Sequence, residues 1–299
     1  MILSGYHFLV PLHAEMKRSS ICLGFSVSLL LFMGLTSCSP HSEVPEQIVD
    51  ADSVVVLEYR PAMGQFVNVL PKYEDGDTHR DMCRKAERAL RDGSVITLGG
   101  FGGYVTLTLG TPILNNPHQR DFQVLGNAFL QQGSDTTGNS EPGIVLVSLD
   151  DNNNGLPDDT WYELAGSEYY KPETKHDYHK TWCKSDTTLL NPFHKQPYFP
   201  QWLSDTVISV SGTLLAPHTV VEGGVIAQRI LDYGYADNKP NTDTLGTAFD
   251  LDWAVDDEGN PVELPYCDFI RIQTAVDEVY SMIGELSTEV SGMKIMNKQ

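Results

Sequence analysis

An acidic, amide-rich run at residues 150–159 has the spacing of a cation-binding loop. The residues whose oxygens could bind one ion are Asp150, Asn152, Asn154, Leu156, Asp158 and Asp159, with Leu156 offering its backbone carbonyl. The alternating positions match the first half of an EF-hand loop, although Trp161 replaces the bidentate glutamate at its end. Calcium takes about six to eight such oxygen ligands. The sequence therefore predicts a calcium site, and the alternative is a plain turn, because Asn, Asp and Gly dominate turns.

Aromatic residues are frequent in the segments expected to be loops, and four of them are candidates for the wall of a ligand pocket. They are Trp161, Tyr162, Trp202 and Tyr235. Binding pockets usually have aromatic walls and a few polar groups that orient the ligand. The alternative is that these rings belong to the buried framework, which is also common for aromatic side chains.

The sequence contains no recognisable catalytic motif. A Gly-x-Ser-x-Gly nucleophile elbow is absent. The glycine-rich run at 99–103 lacks the Lys-Ser/Thr of a phosphate-binding loop. With 40 Asp and Glu residues in the chain, no pair can be singled out as the acid and base of a glycosidase. We therefore predict a non-catalytic protein.

Cys38 is the candidate for covalent lipid attachment. Lys17 and Arg18 precede an apolar stretch at 21–35, which is shorter than the roughly 20 residues of a membrane-spanning helix. The stretch ends at Leu35-Thr36-Ser37-Cys38, before a polar run. A basic region, a short apolar region and small residues before a cut describe a secretory signal. A cysteine at the cut resembles the lipobox of bacterial lipoproteins.

These features predict three parts of the chain. Residues 1–37 are a lipoprotein signal peptide whose true start is Met16, residues 38–52 are a polar tether, and residues 53–299 are one surface domain. The predicted location is the outer membrane, with a lipid on Cys38 as the anchor and the domain at the cell surface.

Charge and cysteine content limit the partners and the fold. The net charge is −20 at pH 7. Because nucleic-acid binding depends on Lys and Arg neutralising phosphates, we predict no nucleic-acid partner. Beyond Cys38 the cysteines are Cys83, Cys183 and Cys267. At most one disulfide can form among these three, and the sequence leaves its pairing open.

The elements that must position these residues are mainly strands. Hydrophobic residues alternate at 104–109 and 249–255, and 144–149 is a nearly continuous apolar run typical of a buried strand. A single helix is predicted to begin after Thr78. Many short strands separated by turn residues favour an antiparallel, jelly-roll-like β-sandwich with one short helix. The aromatic, proline-containing segment 171–205 is expected to be a long loop.

Several longer motifs resemble a single family. They are Glu58-Tyr59-Arg60-Pro61-Ala62, Gly64-Gln65-Phe66-Val67-Asn68, the stretch 98–104, Asp121-Phe122 with Gly126-Asn127-Ala128-Phe129, Glu141-Pro142-Gly143, the stretches 154–159 and 161–168, and Gly284-Glu285 with Ser287-Thr288-Glu289. Together they resemble the Bacteroidetes cell-surface lipoproteins, some of which are joined to PKD-type domains. The resemblance covers residues 54–292.

This resemblance implies an exported, non-catalytic protein whose relatives often accompany TonB-dependent outer-membrane transporters, including those for corrinoids. We therefore expect a calcium-holding surface lipoprotein that captures a nutrient ligand, a corrinoid or a glycan, for such a transporter. One alternative is a polysaccharide-acting hydrolase, which would need a deep cleft with two carboxylates. The other is a structural or adhesive surface protein, which would have no small-molecule pocket.

Overall fold

A computed structural model describes residues 54–186, 194–222, 225–280 and 283–296. The predicted signal peptide at 1–37, the lipidation site Cys38 and the tether at 38–52 lie outside these ranges. Among the described residues, no helix is both long enough and apolar enough to span a membrane.

Short strands dominate the described chain. In order they are β1 (Val55–Arg60), β2 (Ile96–Thr97), β3 (Tyr104–Thr108), β4 (Ile113–Leu114), β5 (Phe122–Leu125), β6 (Phe129–Leu130), β7 (Thr137–Asn139), β8 (Gly143–Ser148), β9 (Trp161–Leu164), β10 (Lys175–Cys183), β11 (Val207–Leu214), β12 (Thr219–Glu222), β13 (Val225–Arg229), β14 (Ala248–Phe249), β15 (Ala254–Val255), β16 (Tyr266–Cys267), β17 (Phe269–Thr274), β18 (Val279–Tyr280), β19 (Gly284–Glu285), β20 (Glu289–Val290) and β21 (Gly292–Ile295). The helices are α1 (His79–Arg91) and a 3-10 turn (Leu251–Trp253).

A six-stranded antiparallel sheet in the order β1-β3-β17-β8-β9-β15 forms the framework. Smaller sheets flank it, including β12-β13-β7-β6 and β14-β5-β21. This mainly β, antiparallel architecture with one α-helix in the described residues is consistent with a β-sandwich and confirms the predicted fold class.

One face of the six-stranded sheet carries the main hydrophobic core. Alternate residues such as Val105, Leu107, Val147 and Ile272 point to this face and are almost fully buried. Burial of each such side chain stabilises the fold by roughly 1.5–3 kcal/mol. The residues between them point to the opposite face of the sheet, where they do not contribute to this main core.

Helix α1 closes part of the core and begins where the sequence predicts. The Thr78 hydroxyl accepts from the Asp81 backbone N–H, and the Asp81 carboxylate accepts from the Thr78 backbone N–H, which together make a capping box. The side chains of Met82, Ala86 and Leu90 on one face of the helix are buried in the core.

The segment 171–205 is not one long loop, and this prediction is wrong in part. Strand β10 lies within it and pairs with β11 in a long antiparallel hairpin, from Cys183↔Val207 to Lys175↔Leu214. Because β10 is mostly charged or polar and largely exposed, it lacks the hydrophobic alternation that marks a strand. Residues 187–193 of this segment lie outside the described ranges.

The alternating segment 249–255 is also not one strand. Strand β14 ends at Phe249, the 3-10 turn follows, and β15 begins at Ala254. The break occurs because Asp250 accepts from the Asp252 backbone N–H and caps the turn. Alternation of apolar and acidic residues therefore indicated burial here but not a continuous strand.

The three described cysteines form no disulfide. Cys83 and Cys267 are buried, Cys183 is partly buried, and all three are free thiols.

Candidate functional site

A row of side chains crosses the outer face of the six-stranded sheet, opposite the main core. The strand registers place Glu58 beside Thr106, Thr106 beside Arg271, Arg271 beside Leu146, and Leu146 beside Glu163. Five strands, drawn from distant parts of the sequence, therefore bring three charged residues, Glu58, Arg271 and Glu163, onto one surface.

A cavity of about 230 Å³ lies on this face, at the β9 end of the row. The residues of its wall that matter for binding are Trp161, Glu163, Tyr169, His176, Thr213 and Arg271. Residues Ser211–Thr213 of the β10–β11 hairpin also line it, so the hairpin contributes to its wall. The cavity therefore combines an aromatic wall with charged and hydroxyl groups, which is the usual composition of a ligand pocket.

Arg271 organises the aromatic part of the site. Its guanidinium carbon lies 4.2 Å from the centre of the Trp161 ring and 4.5 Å from the centre of the Tyr104 ring. Its Nη2 donates to Glu58 Oε2 at 3.0 Å and its Nε donates to Thr106 Oγ1 at 3.1 Å. These contacts fix the guanidinium between two rings, where cation–π attraction also restrains the rings.

A second cavity of about 260 Å³ lies near the first. Tyr104, whose ring contacts Arg271, lines this second cavity, together with Arg60, Asp205 and Ser209. The hairpin strand β11 lines both cavities, with 207–210 at one and 211–213 at the other.

Glu163 is the titratable group most affected by this environment. Burial raises the pKa of its carboxyl to about 7, although the hydrogen bond that Thr213 Oγ1 donates to Glu163 Oε2 at 2.6 Å opposes the rise. Burial, and then the negative charge of Glu163 among other neighbours, raises the pKa of Tyr169 to about 12. A carboxyl group that changes charge near neutral pH therefore lies in the wall of the cavity.

The predicted calcium loop connects β8 to β9 and so leads directly into Trp161. The Asp150 carboxylate accepts from the backbone N–H groups of Asn154 and Gly155, both at 2.9 Å. Gly155 has a φ of 73°, which allows the sharp turn that the sequence predicts. The run therefore folds as a compact loop.

One carboxylate oxygen in the 150–159 loop lacks a hydrogen-bond donor within the described part of the chain and could bind a cation instead. Asp158 accepts from the side-chain amides of Asn152 and Asn154 at 3.1–3.2 Å. Asp159 Oδ2 is buried and has no hydrogen-bond partner among the described residues. Because a buried carboxylate oxygen without a donor is costly, a calcium ion bound to this loop would satisfy a group that the loop itself does not.

The four aromatic candidates do not come together in one pocket. Trp161 lines the cavity. Tyr162 points to the other face of the sheet and packs against the main core. Trp202 also packs there and stacks on Tyr59 with ring centres 5.8 Å apart. Tyr235 is 2% exposed in a separate buried cluster, where its hydroxyl accepts from the Glu168 backbone N–H.

The sequence did not place Glu163, His176 or Arg271 in a ligand pocket. Arg271 carries a usable signal, because it is the one charged residue inside the mostly apolar strand β17. Glu163 and His176 carry no such signal, since carboxylates are abundant and the mostly polar strand that holds His176 lacks hydrophobic alternation.

A group of buried carboxylates lies elsewhere in the fold. Ligand oxygens of Glu141, Asp237 and Glu289 all lie within 4.8 Å of one another. Asp237 accepts from the backbone N–H groups of Ala128 and Glu289, and Glu289 accepts from the Thr97 hydroxyl. Burial, followed by repulsion from Asp237, raises the pKa of Glu141 to about 8. Burial also raises the pKa values of Asp237 and Glu289 well above their usual range.

Neither a scan against protein-family models nor a search of curated proteins found a match to this chain.

Proposed function

We propose that the protein is a non-catalytic, lipid-anchored surface protein that captures a glycan for an outer-membrane TonB-dependent transporter. The observation that carries this proposal is the cavity on the outer sheet face, where Trp161, Glu163 and Arg271 meet. An aromatic ring beside charged and hydroxyl groups suits a sugar, which has an apolar ring face and many hydroxyl groups.

The size of the cavity favours the glycan over the corrinoid. Pockets for drug-sized ligands have volumes of roughly 300–1,000 Å³, and this cavity has about 230 Å³. A single sugar unit suits that space better than a corrinoid macrocycle does. A calcium ion in the 150–159 loop would be consistent with the same proposal, since it would fix the entry into β9 and hence the position of Trp161.

Isothermal titration calorimetry tests this function. The chain from residue 39 onward is titrated with a panel of host and plant glycans and, for comparison, with cobalamin and cobinamide. Capture for transport calls for a micromolar Kd, equivalent to roughly −8 kcal/mol. Trp161→Ala should weaken glycan binding at least tenfold while the melting temperature is retained.

Phe129→Ala is the matched control for the Trp161 variant. Phe129 is a large exposed aromatic residue, 59% accessible, on the separate β12-β13-β7-β6 sheet, so its loss should not change binding. Binding of a corrinoid alone would replace the glycan as the ligand. Absence of binding across the whole panel would contradict capture and favour the structural or adhesive alternative.

A second candidate function is glycan hydrolysis, because Glu163 shares its cavity with Asp177, Asp256 and Asp257. A carboxyl group with a pKa of about 7 can serve as the general acid of a glycosidase when a second carboxylate activates water or attacks the sugar. Release of reducing ends from any glycan of the panel, and its loss in Glu163→Gln, would establish this function instead.

A further inference from the structure

Three side chains form a hydrogen-bonded line across the cavity wall and connect the hairpin to the sheet. Glu163 lies on β9, Thr213 on β11 and His176 on β10. Thr213 Oγ1 is 2.6 Å from Glu163 Oε2 and 3.3 Å from His176 Nδ1. The other ring nitrogen of the histidine, Nε2, is 3.1 Å from the backbone carbonyl oxygen of Tyr169.

The carbonyl of Tyr169 fixes where the histidine carries its hydrogen. A carbonyl oxygen only accepts, so His176 Nε2 must be the donor to it. In the neutral ring, Nδ1 is then an acceptor, and in the imidazolium ion Nδ1 is a second donor.

The hydroxyl of Thr213 has a single hydrogen, but it lies next to two hydrogen-bond acceptors, the Nδ1 atom of a neutral His176 and a carboxylate oxygen of Glu163. It can donate to His176 Nδ1 or to Glu163 Oε2, but not to both. Both contacts are hydrogen bonds only if one extra proton is present, either on the carboxyl of Glu163 or on the ring of His176. With no extra proton, Thr213 donates to Glu163 Oε2 at 2.6 Å, and its oxygen then faces the lone pair of His176 Nδ1 at 3.3 Å with no hydrogen between them, which is unfavourable.

We propose that Glu163 and His176 share a single proton through the hydroxyl of Thr213, and that this shared proton couples ligand capture to pH. In one state Glu163 is protonated and donates to Thr213, which donates to a neutral His176. In the other state the proton of Glu163 has passed to Thr213 and the hydroxyl proton of Thr213 has passed to His176 Nδ1. This leaves a carboxylate and an imidazolium. The total number of protons is the same in both states.

Charged and titratable groups from several elements surround this pair. The charged and titratable groups that line the cavity or act on Glu163 are Arg271 on β17, Asp177 on β10, Asp256 and Asp257 after β15, and Tyr169 and Tyr235. Burial of Glu163, which raises its pKa to about 7, keeps the shared proton in place near neutral pH.

This inference rests on the proposed capture site and adds its regulation. When Glu163 and His176 hold one proton between them, both of their contacts with Thr213 are hydrogen bonds. A ligand that binds Glu163 then finds this part of the cavity wall ordered. Affinity should therefore pass through a maximum and fall on both sides, because acid adds a second proton and alkali removes the first.

Histidine NMR titration of the full chain without ligand tests the shared proton. His176→Gln identifies the His176 signal. In the wild-type protein this signal should show two inflections, since the pair titrates as a coupled unit. Glu163→Gln should leave one inflection. Thr213→Val should uncouple the pair, and Thr213→Ser, which keeps the hydroxyl, should restore the two inflections.

His179 on the same strand is the internal reference, and its titration should be the same in every variant. Unchanged melting temperatures show that the variants are folded. If Thr213→Val does not fold, the comparison between the wild-type protein and Glu163→Gln decides the test. A His176 curve that is identical in wild type and Glu163→Gln overturns the shared proton, while the capture proposal stands. Two inflections without binding of any glycan would overturn capture and leave the shared proton standing.

Discussion

At the scale of single residues, this protein keeps several carboxyl groups where charge is unfavourable. The buried group of Glu141, Asp237 and Glu289 accepts hydrogen bonds from backbone N–H and hydroxyl groups, which stabilise charge less than a cation would. Burial also raises the pKa of Glu285 to about 7. These groups bind protons more tightly in the folded chain than in the unfolded chain. Their contribution to the free energy of unfolding therefore decreases as pH rises.

We expect the free energy of unfolding to fall as pH rises from about 4.5 to about 8. In this window the folded protein keeps protons that the unfolded chain releases, so higher pH favours unfolding. Each unit by which a pKa is raised corresponds to ~1.4 kcal/mol, so the loss should reach a few kcal/mol. Glu289→Gln should raise the melting temperature near pH 8 and flatten this dependence, as measured by calorimetry across pH.

Glu278→Gln is the control with the opposite sign. Burial acts to raise the pKa of Glu278, but hydrogen bonds from His218 outweigh burial and lower it to about 2. Its carboxylate therefore stabilises the fold above the unfolded pKa, and Glu278→Gln should lower the melting temperature at neutral pH. A melting temperature of the wild-type protein that is constant from pH 5 to about 8 would contradict the sign assigned to the buried group.

At the scale of elements, sequence analysis was most reliable where local rules dominate. Helix α1 begins directly after Thr78 as predicted, because a capping box and an apolar stripe are local signals. The buried strand β8 has a similarly clear apolar signal. The hairpin β10–β11 was missed because β10 is held by its partner strand and by contacts such as the bond from Trp182 Nε1 to the Phe101 carbonyl. Such contacts join residues that are far apart in the sequence, so no local sequence pattern indicates them.

The candidate site was predicted only in part for the same reason. Trp161 was identified as an aromatic residue beside a loop. Its partners Arg271, Glu163 and His176 become neighbours only through pairing of distant strands. A single sequence does not show which strands pair, and therefore does not show which of many charged residues share a cavity.

The loop at 150–159 gives a prediction at the element scale. Calcium should raise the melting temperature, because it binds the folded loop better than the unfolded chain. An excess of about 100-fold over Kd adds ~2.7 kcal/mol, or roughly 5–10 °C in a domain of this size. Asp150→Ala combined with Asp158→Ala should remove the increase, as followed by thermal melting with calcium or with a chelator.

Asp75→Ala is the matched control for that pair, because Asp75 is an exposed aspartate in a turn without the EF-hand spacing. Its melting temperature should respond to calcium as the wild type does. Equal melting of the wild-type protein in calcium and in chelator would mean that the loop is a turn only.

At the scale of the whole molecule, the predicted lipid on Cys38 would hold the domain, and therefore its cavity, at the membrane surface. Metabolic labelling with palmitate should mark the wild-type protein, and Cys38→Ala should lose the label and leave the membrane fraction. Cys183→Ala controls for other thiols, since Cys183 is a free, partly buried cysteine of the folded domain. A labelled Cys38→Ala protein would contradict lipidation at this position. Stable anchoring calls for more than one acyl chain, because a single chain binds a membrane only marginally.

The position of β17 has a consequence for how the chain reaches its fold during synthesis. This strand comes from residues 269–274, yet it lies between β3 and β8, which are made more than a hundred residues earlier. Until it arrives, β3 and β8 each present an unpaired edge that invites pairing with other chains. A chain that stops before Phe269 would keep both edges open and lack Arg271, so it would aggregate and have no binding wall. Nascent chains therefore need protection from self-association until β17 has emerged.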